Sequence, residues 1–331
     1  MSLPLVATMI GDPCGIGPEV CVKSLAEATL YDIARPLLIG SQVAVRRAIE
    51  VSNLNLQVGV INSPAEGRYQ HGVVDLIDPG DLGEADIVTA QASATCGNAV
   101  LNWMDIARDL AEAGEVDAWI MAPIDSTALK LTGKLKQLDD MMPEGTYLFR
   151  VSGPLRVVPI GEHLPLREVP DSVTQPAVLK LLRLLDQTLR AWGMAQPRIA
   201  VAGLNPHAMG REDDEQIKPA VAQAQTEGIL ASGPISPDAV FRQCIEGQHD
   251  AVISMYHDQG QVAVKTAVFE GACSIYLGLP YIHLSIPHGS AYDIAGKGVA
   301  QHLSILAAMT TAAALASGRG FLDLSANRDI A

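Results

Sequence analysis

The sequence predicts an α/β protein built from largely parallel sheets with helices on both faces. The chain has 331 residues, more than one compact core usually carries, so two α/β domains are expected. Short apolar runs alternate with longer stretches whose apolar residues recur every three or four positions, which indicates alternating strands and helices. The short runs are almost entirely apolar, as is typical of strands covered on both faces.

The individual elements follow from this alternation. Seven apolar runs are predicted to be buried strands, at residues 5–10, 36–39, 118–121, 155–160, 199–202, 251–255 and 274–277. Three amphipathic stretches are predicted to be helices, at residues 95–113, 175–192 and 214–227. Residues 133–154 contain Gly, Pro, paired Asp and a Met pair, and are predicted to form an inter-domain region or an active-site loop.

Composition excludes several classes of protein. The chain is 48% hydrophobic and 18% charged, which suits a globular enzyme, and its net charge of −14 disfavours nucleic-acid binding. The five cysteines are scattered without a CxxC pair, so reduced thiols are expected. The N-terminal segment lacks a basic region, and no apolar run approaches the roughly 18 residues of a membrane span. The sequence therefore predicts a cytoplasmic protein without membrane association.

Three histidines follow predicted strands in similar settings. They are His163 in GEHLPLREVP, His207 in GLNPHAMG and His257 in SMYHDQGQ. Ligands in open α/β folds bind beyond the carboxyl ends of strands, and three imidazoles suit Zn, Co, Ni, Mn or Fe. Their separations, 44 and 50 residues, fit no local metal motif. The alternative interpretation is three loop histidines that are hydrogen-bonded to the backbone.

Two glycine-rich segments are candidate ligand loops. Residues 288–298, HGSAYDIAGKG, contain small residues that let the backbone approach a ligand, and Gly296 and Gly298 precede a predicted helix whose N-terminus could hold phosphate. A plain turn before the last helix is the alternative. Residues 11–19, GDPCGIGPE, match neither GxGxxG nor a P-loop, so a Rossmann cofactor site at the N-terminus is not supported.

Four charged residues complete the candidates for chemistry. Lys265 lies eight residues after His257, where it could act as a general base or bind a carboxylate, although a solvated surface lysine is the alternative. Asp258, Asp238 and Asp293 are ordinary turn or cap residues unless a site uses them.

Taken together, these motifs resemble the 4-hydroxythreonine-4-phosphate dehydrogenase (PdxA) family. The resemblance runs in order from GDPCGIGPE through DAWIMAP, HLPLREVP, GLNPHA and MYHDQGQVAVK to HGSAYDIAGKG. The last segment also resembles the NAD loop of isopropylmalate and isocitrate dehydrogenases, which share this fold and chemistry. The resemblance implies a two-domain isocitrate/isopropylmalate dehydrogenase-like fold with mostly parallel sheets and the active site in the inter-domain cleft. Residues 1–128 and 300–331 would form the first domain, and residues 129–299 the second.

The resemblance also implies cofactors and partners. One divalent metal ion would be held by His163, His207 and His257, with two ligands from one subunit and one from its partner, so a homodimer with shared active sites is expected. NAD is favoured over NADP, because no basic residue stands beside Asp293 to accommodate the 2′-phosphate of NADP. The nearest one, Lys297, lies one helical turn further on. The implied NAD-binding residues are His288, Gly289, Ser290, Ala291 and Asp293.

The implied reaction is the oxidation of a β-hydroxy acid, followed by decarboxylation. A divalent ion would stabilise the charge that develops on the substrate oxygens in both steps. Lys265 or Asp258 would move the hydroxyl proton, and the sequence does not decide between them. Lys265, Asp238 and Thr146 are implied to line the substrate site.

Four departures from the family pattern bear on the substrate. Gly145 stands where members that act on phosphorylated substrates have histidine, although Thr146 is retained, and Ser126, Ser274 and His283 replace a lysine, an asparagine and an arginine. Loss of these contacts disfavours a phosphate ester. Similar losses mark the cis-dihydrodiol dehydrogenases of terephthalate catabolism, so the expected substrate is 1,2-dihydroxy-3,5-cyclohexadiene-1,4-dicarboxylate.

Two alternatives remain at this stage. The first is an enzyme of the same fold acting on 4-phosphohydroxy-L-threonine, or on threonate or erythronate 4-phosphate. The second is a non-catalytic metal- or nucleotide-binding protein, which retention of the three histidines, Lys265 and the HGSAYDIAGKG segment disfavours.

Overall fold

The fold is taken from a computed structural model that describes residues 2–135, 138–267 and 271–321. The strands of this part of the chain are β1 (Leu5–Met9), β2 (Arg35–Ile39), β3 (Gln57–Ile61), β4 (Val73–Ile77), β5 (Ala118–Met121), β6 (Tyr147–Ser152), β7 (Leu155–Gly161), β8 (Arg198–Ala202), β9 (Leu230–Ile235), β10 (Ala251–Tyr256), β11 (Cys273–Leu277) and β12 (Ile282–Ser285). Its α-helices are α1 (Gly17–Leu25), α2 (Gln42–Val51), α3 (Ala94–Glu112), α4 (Ser126–Leu131), α5 (Val169–Ser172), α6 (Gln175–Ala191), α7 (Lys218–Thr226), α8 (Val240–Ile245), α9 (His257–Ala267) and α10 (Leu303–Ala316).

The predicted α/β class is confirmed, and each of the seven predicted strands is present within one or two residues of its expected bounds. The predicted helices correspond to α3, α6 and α7, with α7 preceded by a π-helical turn at Asp213–Ile217. Side-chain caps start two of them, since Ser93 accepts from the Cys96 amide and Thr174 from the Ala177 amide.

Five strands were missed because their sequences do not read as continuous apolar runs. β3 is mostly exposed or half-buried, and β9 contains Gly233 and Pro234. β6 lies inside residues 133–154, which were expected to form an irregular region or loop. That expectation was wrong for residues 147–152, which pair with two neighbouring strands in antiparallel fashion.

The chain forms two compact units. Unit 1 comprises Met1–Glu144 and Leu279–Ser317. Its strands lie in the order β3-β4-β2-β1-β5-β12, and every neighbouring pair is parallel. The carboxyl ends of β1, β5 and β12 therefore meet at one edge, where the loops that follow them come together.

Unit 2 comprises Gly145–Gly278 and Gly318–Ala331, of which the structure describes residues up to 321. Its strands lie in the order β11-β6-β7-β10-β8-β9. The pairs β11–β6 and β6–β7 are antiparallel and the others are parallel. Val157 on β7, Val252 on β10 and Val264 on α9 belong to one buried apolar cluster. This packing fixes α9, the helix that begins at His257, on the sheet.

The compact units divide the chain differently from the predicted domains, whose boundaries at residues 128 and 299 stay a prediction. β12 pairs with β5, so the segment from Leu279 to Ser317 belongs with unit 1. In the described residues, every helix is too short or too polar to cross a membrane. All five cysteines are buried and lie outside any disulfide, and the sulfurs of Cys14 and Cys96 are 3.4 Å apart.

Candidate active-site residues

Two of the predicted metal-binding histidines lie together in unit 2. β7 and β10 are parallel neighbours in which Gly161 pairs with Tyr256, so the residues after both strands emerge side by side. The rings of His163 and His257 have centroids 4.9 Å apart. Glu162 joins them, and ligand atoms of the three residues all lie within 4.8 Å of one another. Two parallel strand ends thus bring together donors that are 95 residues apart in sequence.

Glu162 is fixed by a buried arginine on β6. The Arg150 Nη1 and Nη2 atoms donate to its two carboxylate oxygens at 3.1 and 2.8 Å, and Nη1 also donates to the Leu148 carbonyl at 3.2 Å. The side chain of Arg150 is 6% exposed and that of Glu162 is 16% exposed. A bidentate pair of this kind restricts the carboxylate to one orientation.

His257 is oriented by the residues that follow it on α9. Its Nδ1 lies 2.6 Å from an Asp258 carboxylate oxygen. Gln259 accepts a hydrogen bond from the Met255 amide at 2.7 Å and donates to the Gly203 carbonyl at 2.8 Å. The junction between β10 and α9 is thereby tied to the loop after β8. Engagement of Nδ1 by a carboxylate leaves Nε2 as the ring nitrogen that could bind a metal.

His207 is exposed and, within the described part of the chain, does not belong to the group formed by Glu162, His163 and His257. It has φ 57° and ψ 19°, a left-handed conformation that is strained for a non-glycine residue. The fully buried Asp213 holds its loop by accepting hydrogen bonds from the Leu204 amide and the Asn205 side chain, both at 2.8 Å. The loop is therefore defined even though His207 itself faces solvent.

Asp238 lies after β9 and is electrostatically coupled to His207. Its carboxylate accepts a hydrogen bond from the Ser236 hydroxyl at 2.5 Å. That hydrogen bond is the main reason that the pKa of Asp238 is below its ordinary value, and His207 contributes in the same direction. Asp238 and His207 are therefore neighbours in unit 2, and Asp238 remains a predicted substrate contact.

Lys265 is exposed in the last turn of α9. It follows Asp258 by seven residues, so the two side chains lie on the same face of the helix, about 10 Å apart along its axis. The two side chains are therefore too far apart to share a single hydrogen-bonding position.

The remaining predicted substrate residues divide between the units. In unit 2, Gly145 has φ 77° and is exposed, Thr146 directly precedes β6, and Ser274 on β11 is paired with Arg150. In unit 1, Ser126 is the first residue of α4. Gly145, Thr146 and Ser274 remain predicted substrate contacts, and Ser126 marks the position of the replaced lysine.

His283 lies in the interior of unit 1. It is 4% exposed on β12, and its ring stacks on that of Trp119 with centroids 3.6 Å apart and an interplanar angle of 13°. Burial lowers the pKa of His283 to about 3. The ring is consequently neutral at physiological pH, and its position disfavours the predicted contact with substrate.

The predicted cofactor loop is tied to the opening turn of unit 1. The Ser290 carbonyl accepts from the Ile16 amide at 2.9 Å, and the Tyr292 hydroxyl donates to the Asp12 carboxylate at 2.6 Å. Asp12 is 1% exposed, and burial raises its pKa above the ordinary value. A Cβ on Gly15 would lie 2.5 Å from the Ser290 Cβ, so only glycine permits this approach.

The far end of this loop is held by α1. The buried Glu19 carboxylate accepts from the Ala300 amide at 2.7 Å and from Lys23 Nζ at 2.8 Å. Lys23 in turn donates to the carbonyls of Gly298 and Ala300. α10 begins at Leu303, so Gly296 and Gly298 lie in the preceding turns and not at the helix N-terminus. Along the loop, burial lowers the pKa of His288, Ala291 has φ 43°, and the carboxylate-bearing Asp293 is exposed.

Comparison with known proteins gives the family. The family described as pyridoxal phosphate biosynthetic protein PdxA matches residues 32–312. The chain belongs to the PdxA family.

Relatives and solved structures agree with this assignment. A Novosphingobium aromaticivorans protein, provisionally named a 4-hydroxythreonine-4-phosphate dehydrogenase, is 44% identical over 96% of both chains. A Symbiobacterium thermophilum protein, provisionally named a D-threonate 4-phosphate dehydrogenase, is 38% identical over 95% of this chain and 97% of its own. The crystal structure of a 4-hydroxythreonine-4-phosphate dehydrogenase from Burkholderia phymatum has a TM-score of 0.84 at 34% identity, covering 95% of this chain and 99% of its own.

A more distant structural neighbour has a different activity. A terephthalate 1,2-cis-dihydrodiol dehydrogenase from Burkholderia xenovorans has a TM-score of 0.69 at 29% identity, covering 94% of this chain and 98% of its own. The chain is therefore similar to dehydrogenases throughout its length.

Sequence reasoning missed several residues that hold the candidate site residues in place. Glu162 had a signal, since it directly precedes His163, but its carboxylate was not considered as a ligand. Arg150 and Asp213 gave no local signal, because each acts through the fold on a residue some distance along the chain. The hydrogen bond between Asp12 and Tyr292 likewise had no local signal, because the two residues are 280 positions apart.

Proposed function

We propose that this chain catalyses the NAD-dependent and divalent-metal-dependent oxidation of a β-hydroxy acid, followed by decarboxylation of the product. The observation that carries the proposal is the convergence of Glu162, His163 and His257 at the ends of two parallel strands in a chain of a dehydrogenase family. Two imidazoles and a carboxylate are donors suited to Mn, Fe, Co, Ni or Zn.

The donor geometry fits a divalent ion. Nitrogen and oxygen donors lie about 2.1 Å from such an ion, so two donors to one ion are at most about 4.2 Å apart. The present separations are within 4.8 Å, so rotation of the two imidazole rings that moves their nitrogens by about 1 Å would bring the donors to ligand spacing. When bound, the ion would supply a positive charge that stabilises negative charge developing on the substrate oxygens.

The loop of residues 288–293 fits a dinucleotide. A Cβ on Gly289 would meet no atom closer than the Ile124 carbonyl oxygen at 3.8 Å, so the backbone here is open to a ligand. Asp293 is exposed and offers a carboxylate of the kind that accepts hydrogen bonds from ribose hydroxyls. His288, Gly289, Ser290, Ala291 and Asp293 are the proposed NAD-binding residues.

The neighbouring polar residues have separable roles in this proposal. Asp258 lies 2.6 Å from His257 Nδ1 and orients that imidazole. Lys265, exposed on the same helix face, is then the better candidate to move the hydroxyl proton. Asp238, Thr146 and Gly145 are proposed to contact the substrate.

We propose a homodimer because His207 lies apart from the other two candidate metal ligands. His163 and His257 are brought together by one chain, whereas His207 lies on an exposed loop. The proposed third imidazole ligand is then a His207 supplied across a subunit interface. Loss of metal affinity on dilution to the monomer would accompany this arrangement.

The proposed substrate class is a phosphorylated hydroxy acid such as 4-phosphohydroxy-L-threonine or threonate 4-phosphate. It is ranked ahead of the expected terephthalate dihydrodiol, because relatives named for the phosphorylated substrates are 44% and 38% identical, whereas the dihydrodiol dehydrogenase is 29% identical. Thr146 is the retained residue of the predicted phosphate region.

The terephthalate cis-dihydrodiol is kept as a second candidate on one specific observation. The position expected to carry an arginine holds His283, which is buried and stacked on Trp119 and therefore offers no cation. Ser126, Gly145 and Ser274 likewise lack the charge or hydrogen-bonding capacity of the residues they replace. A carboxylated ring has less need of those contacts than a phosphate ester.

The test is NADH formation by the purified enzyme supplied with Mn²⁺, Co²⁺ or Zn²⁺. 4-Phosphohydroxy-L-threonine, D-threonate 4-phosphate and the terephthalate cis-dihydrodiol are compared side by side, with CO₂ release measured in parallel. Turnover of a phosphorylated acid alone supports the first candidate, and turnover of the dihydrodiol alone replaces it with the second. No NADH from any of them, in an enzyme shown to bind metal, contradicts the proposed reaction.

A further inference from the structure

We infer that Glu162, held by Arg150, is a metal ligand of this chain, so that one subunit supplies two imidazoles and one carboxylate. The inference rests on the proposed metal requirement and deepens it by naming a donor beyond the three histidines. It also assigns Arg150 as the positioning residue for that donor.

The Glu162 carboxylate is held in one position. Both of its oxygens accept from Arg150, at 3.1 and 2.8 Å, and the arginine is anchored on β6 next to β7, the strand after which Glu162 emerges. A buried guanidinium that lost this partner would be left with an uncompensated charge. The carboxylate is therefore kept at the strand end beside His163.

Glu162 nevertheless retains the capacity to bind an ion. A carboxylate has about four lone-pair sites, and the two hydrogen bonds from Arg150 use two of them. One Glu162 oxygen already lies within 4.8 Å of a ligand nitrogen of His163 and of His257. Arg150 thus orients the Glu162 carboxylate in the same way that Asp258 orients the His257 ring.

A carboxylate ligand affects which metal ion the site prefers. Carboxylate oxygens favour harder ions such as Mn²⁺ and Mg²⁺, whereas imidazoles bind Zn²⁺, Ni²⁺ and Co²⁺ well without such help. A carboxylate also contributes a negative charge, which neutral imidazoles do not. Removal of that charge should consequently weaken Mn²⁺ binding more than Zn²⁺ binding.

The experiment measures metal affinity in the full-length apoenzyme without substrate or NAD. Wild type, Glu162→Gln and Glu168→Gln are titrated with Mn²⁺ and Zn²⁺ by calorimetry and chelator competition. Glu162→Gln keeps the size of the side chain and a hydrogen bond to Arg150 but removes the charge. Glu168→Gln is the matched control, because its carboxylate is 52% exposed in the same segment of unit 2 and has an exposed arginine partner.

The expected result is a tenfold or greater loss of Mn²⁺ affinity in Glu162→Gln, a smaller loss for Zn²⁺, and affinities within twofold of wild type in Glu168→Gln. The visible spectrum of bound Co²⁺ gives a second readout, since replacement of a ligand alters its bands whereas loss of a purely structural ion pair does not. Affinities within twofold of wild type for both ions, with an unchanged Co²⁺ spectrum, would overturn the inference.

Two further arms separate this inference from the proposed function. Arg150→Lys retains the charge but not the bidentate contact, and should weaken Mn²⁺ binding while Glu162 is still present. His163→Ala should abolish tight binding of both ions. If wild type itself binds neither ion, the metal requirement fails, whereas metal binding by wild type that is insensitive to Glu162→Gln removes only the role of Glu162.

Discussion

The candidate cofactor loop of unit 1 and the metal-donor region of unit 2 are built in opposite ways. The loop of residues 288–298 is held through buried polar groups, including Asp12 and Glu19, which are 1% and 3% exposed. The metal donors instead lie at strand ends, where His163 is exposed and Glu162 and His257 are half-buried. Buried hydrogen bonds fix the shape of the backbone that is proposed to hold NAD, whereas donors that are open to solvent depend on neighbouring side chains for their direction.

The largest expected effect tests the metal-donor region. We expect His163→Ala or His257→Ala to weaken Mn²⁺ or Zn²⁺ binding by at least 100-fold and to lower kcat by at least 1,000-fold, because each removes a first ligand of the ion. Calorimetry and steady-state NADH formation measure the two quantities. His71→Ala, an exposed histidine of unit 1, is the control. Retention of metal affinity in both ligand variants would contradict the metal assignment.

The next largest expected effect is on stability, and it tests whether Asp213 stabilises the loop that carries His207. Asp213→Ala removes a fully buried acceptor of hydrogen bonds from the Leu204 amide and the Asn205 side chain. We expect a loss of about 3 kcal/mol in the free energy of unfolding, because buried donors are left unsatisfied. The thermal midpoint should fall by roughly 6 °C or more.

The neighbouring Asp214 provides the matched control for this prediction. Its side chain is 71% exposed and lies 3.9 Å from Lys218. Asp214→Ala should therefore change the midpoint by little, since exposed ion pairs contribute under about 1 kcal/mol. Equal effects of the two substitutions would show that burial of Asp213 is not what stabilises the loop.

A third prediction concerns the pH dependence of unit 1. The pKa of His283 is about 3 in the folded protein and 6.5 in the unfolded chain. Its stabilising contribution is full above pH 6.5 and is lost as the pH falls from 6.5 towards 3, because only the unfolded state takes up the proton. The loss is about 1 kcal/mol per pH unit.

This linkage is measured by thermal denaturation of the apoenzyme between pH 4.5 and 7.5. His283→Phe keeps an aromatic ring against Trp119 but cannot bind a proton. The midpoint of the variant should consequently fall less steeply than that of wild type below pH 6.5. Parallel curves for the two proteins would mean that His283 is not buried as a neutral ring.

The smallest expected effect tests whether the loop of residues 288–298 binds NAD. Tyr292→Phe removes the 2.6 Å hydrogen bond to Asp12 and leaves the rest of the loop in place. We expect the KM for NAD to rise about three- to tenfold, which corresponds to about 1 kcal/mol, while metal affinity stays within twofold of wild type. Tyr281→Phe, a half-buried tyrosine of the same unit, is the control. A change in metal affinity with an unchanged KM would remove the distinction between the two regions.

The sequence by itself determined the α/β class, seven of the strands and the identity of the candidate chemical residues. Periodicity is a local property, so β1, β5 and β10 could be predicted from their apolar runs and α6 from its spacing. The motifs around His163, His207 and His257 were sufficient to indicate the family.

Only the tertiary structure decided which of these residues meet and what holds them. Pairing of β7 with β10 placed His163 beside His257, and pairing of β6 with β7 set Arg150 against Glu162. Burial turned His283 from an expected substrate contact into a core residue. Strand order and burial arise from contacts between distant segments, and a linear pattern of residues does not contain them.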